Sequence, residues 1–124
     1  ILVIIAGHET TVNFLGNAVL ALLKHPCELS RLRAQPEMGR RAIEELLRFD
    51  SPVQTTVRKV LQDFEYNGVR LSRGSHIAFM LGSANHDPRV FDRPKTLSIA
   101  RDERPSYRMT WSARGLNALH VQLE

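Results

Sequence analysis

The sequence has little cysteine and few aromatic residues: one cysteine, Cys27, and 6% Phe, Trp and Tyr among 124 residues. A single cysteine excludes an intrachain disulfide and fits a reducing compartment. Because Cys27 follows Pro26, in the first turn of a predicted helix, we predict a small buried side chain and not a nucleophile. The five histidines have no metal-ligand spacing, so we predict no metal site.

The charge pattern also excludes some functions. The net charge is +4, from 17 Lys and Arg against 13 Asp and Glu. The basic residues are scattered and are not interleaved with aromatic residues, which argues against nucleic-acid binding and favours an ordinary solvated surface. An acidic protein partner remains open. No signal peptide is recognisable, which predicts a cytoplasmic protein.

The most informative segment is an apolar run over residues 1–23 that is interrupted once, by Ala6–Thr11. It predicts one long helix that is apolar nearly all round and therefore lies inside a protein. Glu9 near its centre argues against a membrane span. No capping residue precedes the run, so we expect a helix that has been cut partway along.

Polar side chains in the middle of this helix are costly to bury unless they have partners. Glu9 and Thr10 could relay protons, with the carboxylate shuttling them and the hydroxyl handing them on. Alternatively, Thr10 and Thr11 bond back to carbonyls of their own helix while Glu9 pairs with a distant arginine. The sequence alone weighs these two interpretations about evenly.

Two shorter helices should follow, starting at Pro26 and Pro36. The second, over residues 37–49, has a predicted core-facing stripe of apolar residues. The members of this stripe are Met38, Ala42, Ile43, Leu46 and Leu47. Glu45 and Arg48 share another face of the same helix. Such a pair is usually a weak surface ion pair and becomes important only if it is buried.

Strands should form the next part of the chain. The β-branched residues at 55–60 and the extended stretch at 76–81 predict strands, and Asn67-Gly68 predicts a tight hairpin turn. Arg58 lies in the first of these runs, where its charge must face water or an anionic ligand such as a cofactor carboxylate. Residues 82–88 are predicted to be irregular, and residues 116–123 are predicted to form a short helix.

In this order, the segments resemble the cytochrome P-450 superfamily of haem-thiolate monooxygenases, and most closely its bacterial soluble members. Ala6–Thr11 resembles the oxygen-activation motif, and Glu45–Arg48 resembles the Glu-x-x-Arg signature. Residues 83–88 resemble the segment that leads into the meander loop. Arg58 resembles the arginine that binds a haem propionate, and Arg101 falls where the family places a third partner of the Glu-Arg pair.

The resemblance implies roles for the long helix. Ala6 and Gly7 would adjoin the cofactor, with Gly7 letting the helix open beside bound dioxygen. Glu9 and Thr10 would deliver the protons for cleaving the O–O bond.

The resemblance also implies roles for the rest of the chain. Arg58, helped by His86, would hold a propionate of haem b. A structural network beneath the haem iron would consist of Glu45, Arg48 and Arg101.

The end of the sequence departs from the family. A cysteine-containing haem loop should begin shortly after Arg104, but no cysteine lies there. We predict a partial cytochrome P-450 domain over residues 1–105 and a divergent or frameshifted tail over residues 106–124. The expected fold is α+β and mainly α, with a central helix, two shorter helices, a small antiparallel hairpin region and a meander loop.

The resemblance implies a parent enzyme that hydroxylates a small apolar organic substrate with dioxygen and receives electrons from a ferredoxin-type redox partner. We expect this chain to be inactive by itself and not to bind haem stably, because it lacks the axial cysteine. The alternative is a non-catalytic remnant domain that binds a small apolar ligand or a protein partner. A hydrolase that uses His8 and Glu9 would lack a nucleophile.

Overall fold

The computed structural model describes residues 2–101, 107–110, 113–116 and 121–122, with side chains for residues 6–101. The predicted α+β, mainly α, fold class is confirmed. The helices are α1 (Leu2–Lys24), α2 (Pro26–Ala34), α3 (Gly39–Phe49) and α4 (Leu81–Ala84), with a 3-10 turn at Pro36–Met38. The strands are β1 (Thr55–Lys59), β2 (Phe64–Tyr66), β3 (Val69–Leu71), β4 (His76–Met80), β5 (Tyr107–Thr110), β6 (Ala113–Leu116) and β7 (Val121–Gln122).

The predicted long helix is present as α1, and it packs through small residues. Ala18 and Ala21 are buried against Leu46 of α3 and Leu97 of the loop that follows β4 and α4. Half-buried Phe14, Leu22 and Phe49 surround this contact. The two alanines let α3 and the loop approach α1 closely, which sets the position of α3.

The other side of α1 is exposed, so this helix, which the sequence predicts to lie inside a protein, is buried on one side only in this chain. We use the name α1 stripe for Val12, Leu15, Val19 and Leu23, whose exposed fractions are 50%, 56%, 56% and 65%. Their spacing of three or four residues places them on one face. Within the described ranges, no helix combines the length and the apolar character that crossing a membrane requires.

The helices α2 and α3 begin close to the two predicted prolines, but the buried face of α3 differs from the predicted one. Ala42 and Leu46 are buried as predicted, whereas Ile43 is 50% exposed. Glu45 and Arg48 are buried in its place. The buried face is therefore rotated around the helix towards these two charged residues, which the sequence pattern had placed outside the core.

Cys27 is exposed, so the prediction that it is buried is wrong. Only one side of α2 packs inward, through half-buried Leu29 and Leu32. Cys27 is two residues before Leu29 and therefore points to nearly the opposite side of the helix.

The strands form small antiparallel sheets. The longest pairing runs between β1 and β4, from Thr55 opposite Met80 to Lys59 opposite His76. The predicted hairpin joins β2 to β3, and Asn67 and Gly68 at its turn have φ values of 49° and 79°. Two consecutive positive φ values are typical of the type I′ turn that Asn-Gly favours. A second core cluster lies under these strands and contains Val60, Leu71 and Ile77.

Two segments differ from their predictions. Residues 81–84, which were predicted partly as strand and partly as irregular, form the one-turn helix α4. The predicted helix over residues 116–123 is wrong, because Val121–Gln122 is strand β7. β7 pairs with Ala78 and Phe79 on the free edge of β4. Its conformation therefore depends on pairing with a strand that is distant in the sequence, and not on local propensity.

Candidate functional site

Glu45 and Arg48 form a buried, bidentate ion pair on α3. The Arg48 Nε–H donates to Glu45 Oε2 at 2.8 Å, and Nη2–H donates to Oε1 at 2.9 Å. Their residues are only 6% and 3% exposed. Two parallel hydrogen bonds between a guanidinium and a carboxylate are among the strongest that side chains make. The pair is therefore not the surface ion pair that its spacing alone suggests.

The remaining hydrogens of Arg48 bind the loop after α4. Arg48 Nη1 donates to the backbone carbonyls of Asn85 and Pro94, each at 2.8 Å. Its guanidinium lies 5.1 Å from the ring centroid of the buried Phe91. A buried cation is tolerated when its donors are satisfied and an aromatic face lies near it. Arg48 thus links α3 to two separate points of the loop.

Arg101 joins the same carboxylate from the far end of the loop. Its Nε–H donates to Oε1 and Oε2 of Glu45, at 3.2 Å each. Its guanidinium also donates to the backbone carbonyls of Asp92 and, at 2.9 Å, of Thr96. The structure thus brings together Glu45, Arg48 and Arg101, which we call the Glu45 network. Their predicted role beneath a haem stays a prediction.

Sequence reasoning gave no role to the carboxylate of Asp87. This residue is 7% exposed and accepts hydrogen bonds from the backbone N–H of Arg89 at 2.9 Å and from its Nη2 at 2.8 Å. The bond to Asp87 raises the pKa of Arg89 above its ordinary value. An aspartate before Pro88, two residues from an arginine, is a turn signal that could have identified this bond.

The polar residues at positions 8–11 of α1 are exposed. Thr10 Oγ1 donates to the carbonyl of Ala6, and Thr11 Oγ1 donates to that of Gly7, each at 2.7 Å. The interpretation that both threonines bond back to their own helix is therefore confirmed. Within residues 6–101, no ion pair joins Glu9 to an arginine. The Thr10 oxygen can still accept a further bond, so the predicted proton relay stays a prediction.

Glu9 and Thr10 lie away from the part of α1 that packs against α3 and the loop. The helix contacts α3 and the loop through Ala18 and Ala21. Thr10 precedes Ala18 by eight residues, which is about 12 Å along the helix axis at 1.5 Å per residue. The structure therefore places Glu9 and Thr10 beyond the packed part of α1.

Arg58 and His86 lie on different elements. Arg58 is exposed on β1, where Nη1 donates to Thr56 Oγ1 and to the carbonyl of Val57, at 2.9 Å each. His86 follows α4, with Nδ1 3.0 Å from the Gly82 carbonyl and its ring 6.3 Å from that of Phe49. His86 thus lies beside the end of α3. Arg58 is exposed, and its planar guanidinium suits a carboxylate ligand.

The only thiol of this sequence does not lie near the polar residues at positions 8–11 of α1. Arg58 could bind an acidic group, but the only sulfur that could form a thiolate is that of Cys27. Thr10 lies 14 residues before the end of α1, or about 21 Å along the axis, and Cys27 lies beyond that end. Over residues 6–101, no three His, Cys, Asp or Glu side chains are grouped closely enough to hold a metal ion.

Comparison with known proteins decides the family. The Cytochrome P450 family profile matches residues 1–103. The chain belongs to the cytochrome P450 family. It is 45% identical over 105 residues to the biotin biosynthesis cytochrome P450 of Bacillus subtilis, covering 85% of this chain and 27% of that protein. It is 46% identical over 102 residues to the vitamin D(3) 25-hydroxylase of Pseudonocardia autotrophica, covering 82% and 25%. The chain thus spans about a quarter of the length of these P450 relatives.

Solved P450 structures share the fold. The chain matches the crystal structure of CalO2 with a TM-score of 0.78 and 45% identity, covering 85% of this chain and 26% of that one. It matches P450BioI in complex with an acyl carrier protein ligated to hexadec-9Z-enoic acid with a TM-score of 0.79 and 33% identity. That match covers 99% of this chain and 42% of P450BioI.

Proposed function

We propose that this chain is part of a haem-dependent P450 monooxygenase whose complete form hydroxylates a small apolar organic substrate with dioxygen. The observation that carries the proposal is the Glu45 network, in a chain of the P450 family. Burying a carboxylate and two guanidinium groups is costly unless further hydrogen bonds satisfy them, and here those bonds fix the loop over residues 85–101 to α3. The hydroxylase among the relatives supports the reaction type. We assign the complete enzyme to the cytoplasm, with a ferredoxin-type protein as its electron donor.

We assign Glu9 and Thr10 to proton transfer in the complete enzyme. The Thr10 hydroxyl donates its hydrogen to the Ala6 carbonyl, so the lone pairs of Oγ1 can accept a hydrogen bond from a proton donor. Glu9 is exposed and can exchange protons with water. A Cβ built at Gly7 would have no neighbour within 4 Å, so the space beside this residue is open to a ligand. These features support the assignment of Ala6 and Gly7 to the cofactor side of the helix.

We assign Arg58, with His86, to binding the acidic groups of haem b in the complete enzyme. The exposed position of the Arg58 guanidinium supports this role, because a carboxylate could reach it. We assign Glu45, Arg48 and Arg101 to holding the loop over residues 85–101 beneath the cofactor. Their bonds to the backbone of that loop support the assignment.

We propose further that this chain is inactive alone. An axial thiolate donates electron density to haem iron and favours O–O cleavage, and this chain has no cysteine that could take that place. In this proposal, residues 1–105 are the P450 part and residues 106–124 are a divergent or frameshifted tail. The family match, which ends at residue 103, supports that division.

A carbon monoxide spectrum tests the inactivity. Purified chain is mixed with haem, reduced and exposed to carbon monoxide, with the Cys27→Ala variant as the matched control. We expect no stable thiolate-type Soret band from either protein. A thiolate-type band in the unsubstituted chain would refute the loss of activity, and its disappearance in C27A would identify Cys27 as the ligand.

The DNA that encodes the chain tests its parentage. If the tail is frameshifted, we expect the DNA through codons 105–124 to contain an intact cysteine loop in another reading frame; if it is divergent, we expect no such loop. Expression of the frame-restored gene should then give the thiolate-type spectrum that the present chain lacks. If no frame encodes a cysteine loop, the frameshift is wrong. If the frame-restored protein gives no such spectrum, the assignment to a monooxygenase fails.

A second candidate is a non-catalytic domain that binds a small apolar ligand or a protein partner. The observation that favours it is the α1 stripe, since contiguous exposed apolar surface often marks a binding site. Both candidates predict no thiolate-type band in the carbon monoxide spectrum of this chain. Binding of an apolar fluorescent probe is therefore the direct test of the second candidate. An Ala substitution at Leu15 should weaken binding if the stripe forms the site.

A further inference from the structure

The four residues Ser98–Arg101 form a turn that needs hydrogen-bond acceptors from elsewhere. The backbone N–H of Arg101 donates to the Ser98 carbonyl at 3.1 Å, which closes the turn. This bond leaves the N–H groups of Ser98 and Ile99 without an acceptor inside the turn. Ile99 is fully buried, so its N–H cannot be satisfied by water without a rearrangement.

Two carboxylates from different helices accept these two hydrogens. Glu45 Oε1, from α3, accepts from the N–H of Ser98 at 3.0 Å. Glu28 Oε2, from α2, accepts from the N–H of Ile99 at 2.9 Å. Glu45 also binds the Arg101 side chain, so the turn is held at its start, at its second residue and at its end. Glu28 supplies the contact that does not come from α3.

Glu28 contacts both the interior and a surface arginine. Its side chain is 14% exposed, and Nη1 of Arg31 lies 3.2 Å from Oε1 and 3.4 Å from Oε2, the oxygen that accepts from Ile99. The side chain of Arg31 is 44% exposed, so solvent screens this pair. The bond to Ile99 is therefore the contact of Glu28 that the interior depends on.

We infer that Glu28 is a positioning residue that fixes the orientation of the Ser98–Arg101 turn and thereby holds Arg101 against Glu45. Without an acceptor at residue 28, the turn would have to rotate to bring the Ile99 N–H to another partner. That rotation would move the Arg101 guanidinium away from Glu45, because Arg101 is the last residue of the turn. The inference rests on the proposed function only for the role that it gives Arg101.

Hydrogen exchange of the isotopically labelled chain, measured by NMR without haem, tests the inference. The reporters are the backbone amide of Ile99 and the side-chain Nε–H of Arg101. In Glu28→Leu we expect both to exchange at least about tenfold faster, as for the loss of one buried hydrogen bond. Glu28→Gln keeps an acceptor oxygen and should restore the rates to within about threefold. Arg31→Gln, the matched control, should also leave them within about threefold.

The amides of β3, which lies in a separate hairpin, are the internal control and should not change in any variant. If E28L fails to fold while E28Q folds with a protected Ile99 amide, the rescue supports the inference. Four results would overturn it: an unprotected Ile99 amide in the unsubstituted chain, E28Q behaving like E28L, R31Q as damaging as E28L, or unchanged Arg101 Nε–H exchange in E28L. A thiolate-type carbon monoxide spectrum would overturn the proposed inactivity instead, with these rates unaffected.

Discussion

Glu45 and Arg48 lie one helical turn apart and are both buried, so each neutralises the charge of the other. A buried pair adds little stability compared with apolar residues, but the removal of one partner leaves the other as an uncompensated charge. Arg101 offers partial compensation to Glu45, whereas Glu45 is the one carboxylate that Arg48 contacts among residues 6–101.

Replacing Glu45 should therefore be costly, because it leaves Arg48 as an uncompensated buried charge. We expect Glu45→Met to lower the free energy of unfolding by about 3–5 kcal/mol. The control is Arg70→Met, which removes an ion pair with Asp63 whose side chains are 79% and 55% exposed. It should cost less than about 1 kcal/mol. Urea unfolding followed by circular dichroism measures both variants. Equal losses would mean that the Glu45 network contributes no more to the free energy of unfolding than an exposed ion pair.

Thr10 and Thr11 offer a matched pair of substitutions on α1. Both are exposed, and each hydroxyl makes the same 2.7 Å bond to the carbonyl four residues earlier. Such back-bonding does not strengthen a helix, so T10A and T11A should each change the free energy of unfolding by less than about 0.5 kcal/mol. Thermal unfolding checks this. A large loss in T10A alone would show that Thr10 has a structural role, which would weaken its assignment to proton transfer.

At the scale of elements, the β2–β3 hairpin depends on its turn. Gly68 has a φ of 79°, a conformation that costs an L-residue about 1–2 kcal/mol. Gly68→Ala should therefore lower the free energy of unfolding by about that amount.

Gly39→Ala is the control with the opposite sign. Gly39 has a helical φ of −50°, and a Cβ there would meet nothing within 4 Å. This substitution should raise the free energy of unfolding by about 0.4–1 kcal/mol, because it restricts only the unfolded chain. Chemical denaturation of both variants checks the pair, and a loss of stability in G39A would contradict the described start of α3.

The elements that were predicted correctly are those whose conformation is determined by residues close together in the sequence. A long apolar run with one interruption forms α1, a proline starts α2, and Asn67-Gly68 forms the hairpin turn. The failures have distant causes. β7 replaces a predicted helix because the edge of β4 pairs with it. Ile43 is exposed because the loop, which is 40 to 60 residues later in the chain, binds the neighbouring face of α3.

For the candidate site, the sequence predicts which residues share a helix face but not that they are buried. The spacing of Glu45 and Arg48 placed them on one face, and the resemblance to the P-450 superfamily suggested Arg101 as a partner. Nothing local could show that the pair is buried, because its acceptors are carbonyls of residues 85–96. Glu28 was missed for a similar reason: its partner is a backbone N–H 71 residues away.

At the scale of the whole molecule, the α1 stripe determines how the chain behaves in water. We expect the isolated chain to self-associate, because four large apolar side chains on one helix face are at least half exposed. Replacing Leu15 and Val19 by Glu should reduce light scattering and leave the helical circular dichroism unchanged. Leu46→Glu, at a residue that is 5% exposed, should instead unfold the chain. Unchanged scattering in the double variant would mean that other surfaces cause the association.

The bonds of Arg48 to the carbonyls of Asn85 and Pro94 have a consequence for how this molecule comes apart. The last turn of α3 cannot unwind while the loop stays in place, since unwinding would pull the Arg48 guanidinium away from the carbonyl oxygens that bind it. The loop likewise cannot lift away without stripping that cation of its acceptors. Helix end and loop are therefore one cooperative unit. A protease that nicks the chain between residues 93 and 96 would loosen a helix more than forty residues upstream.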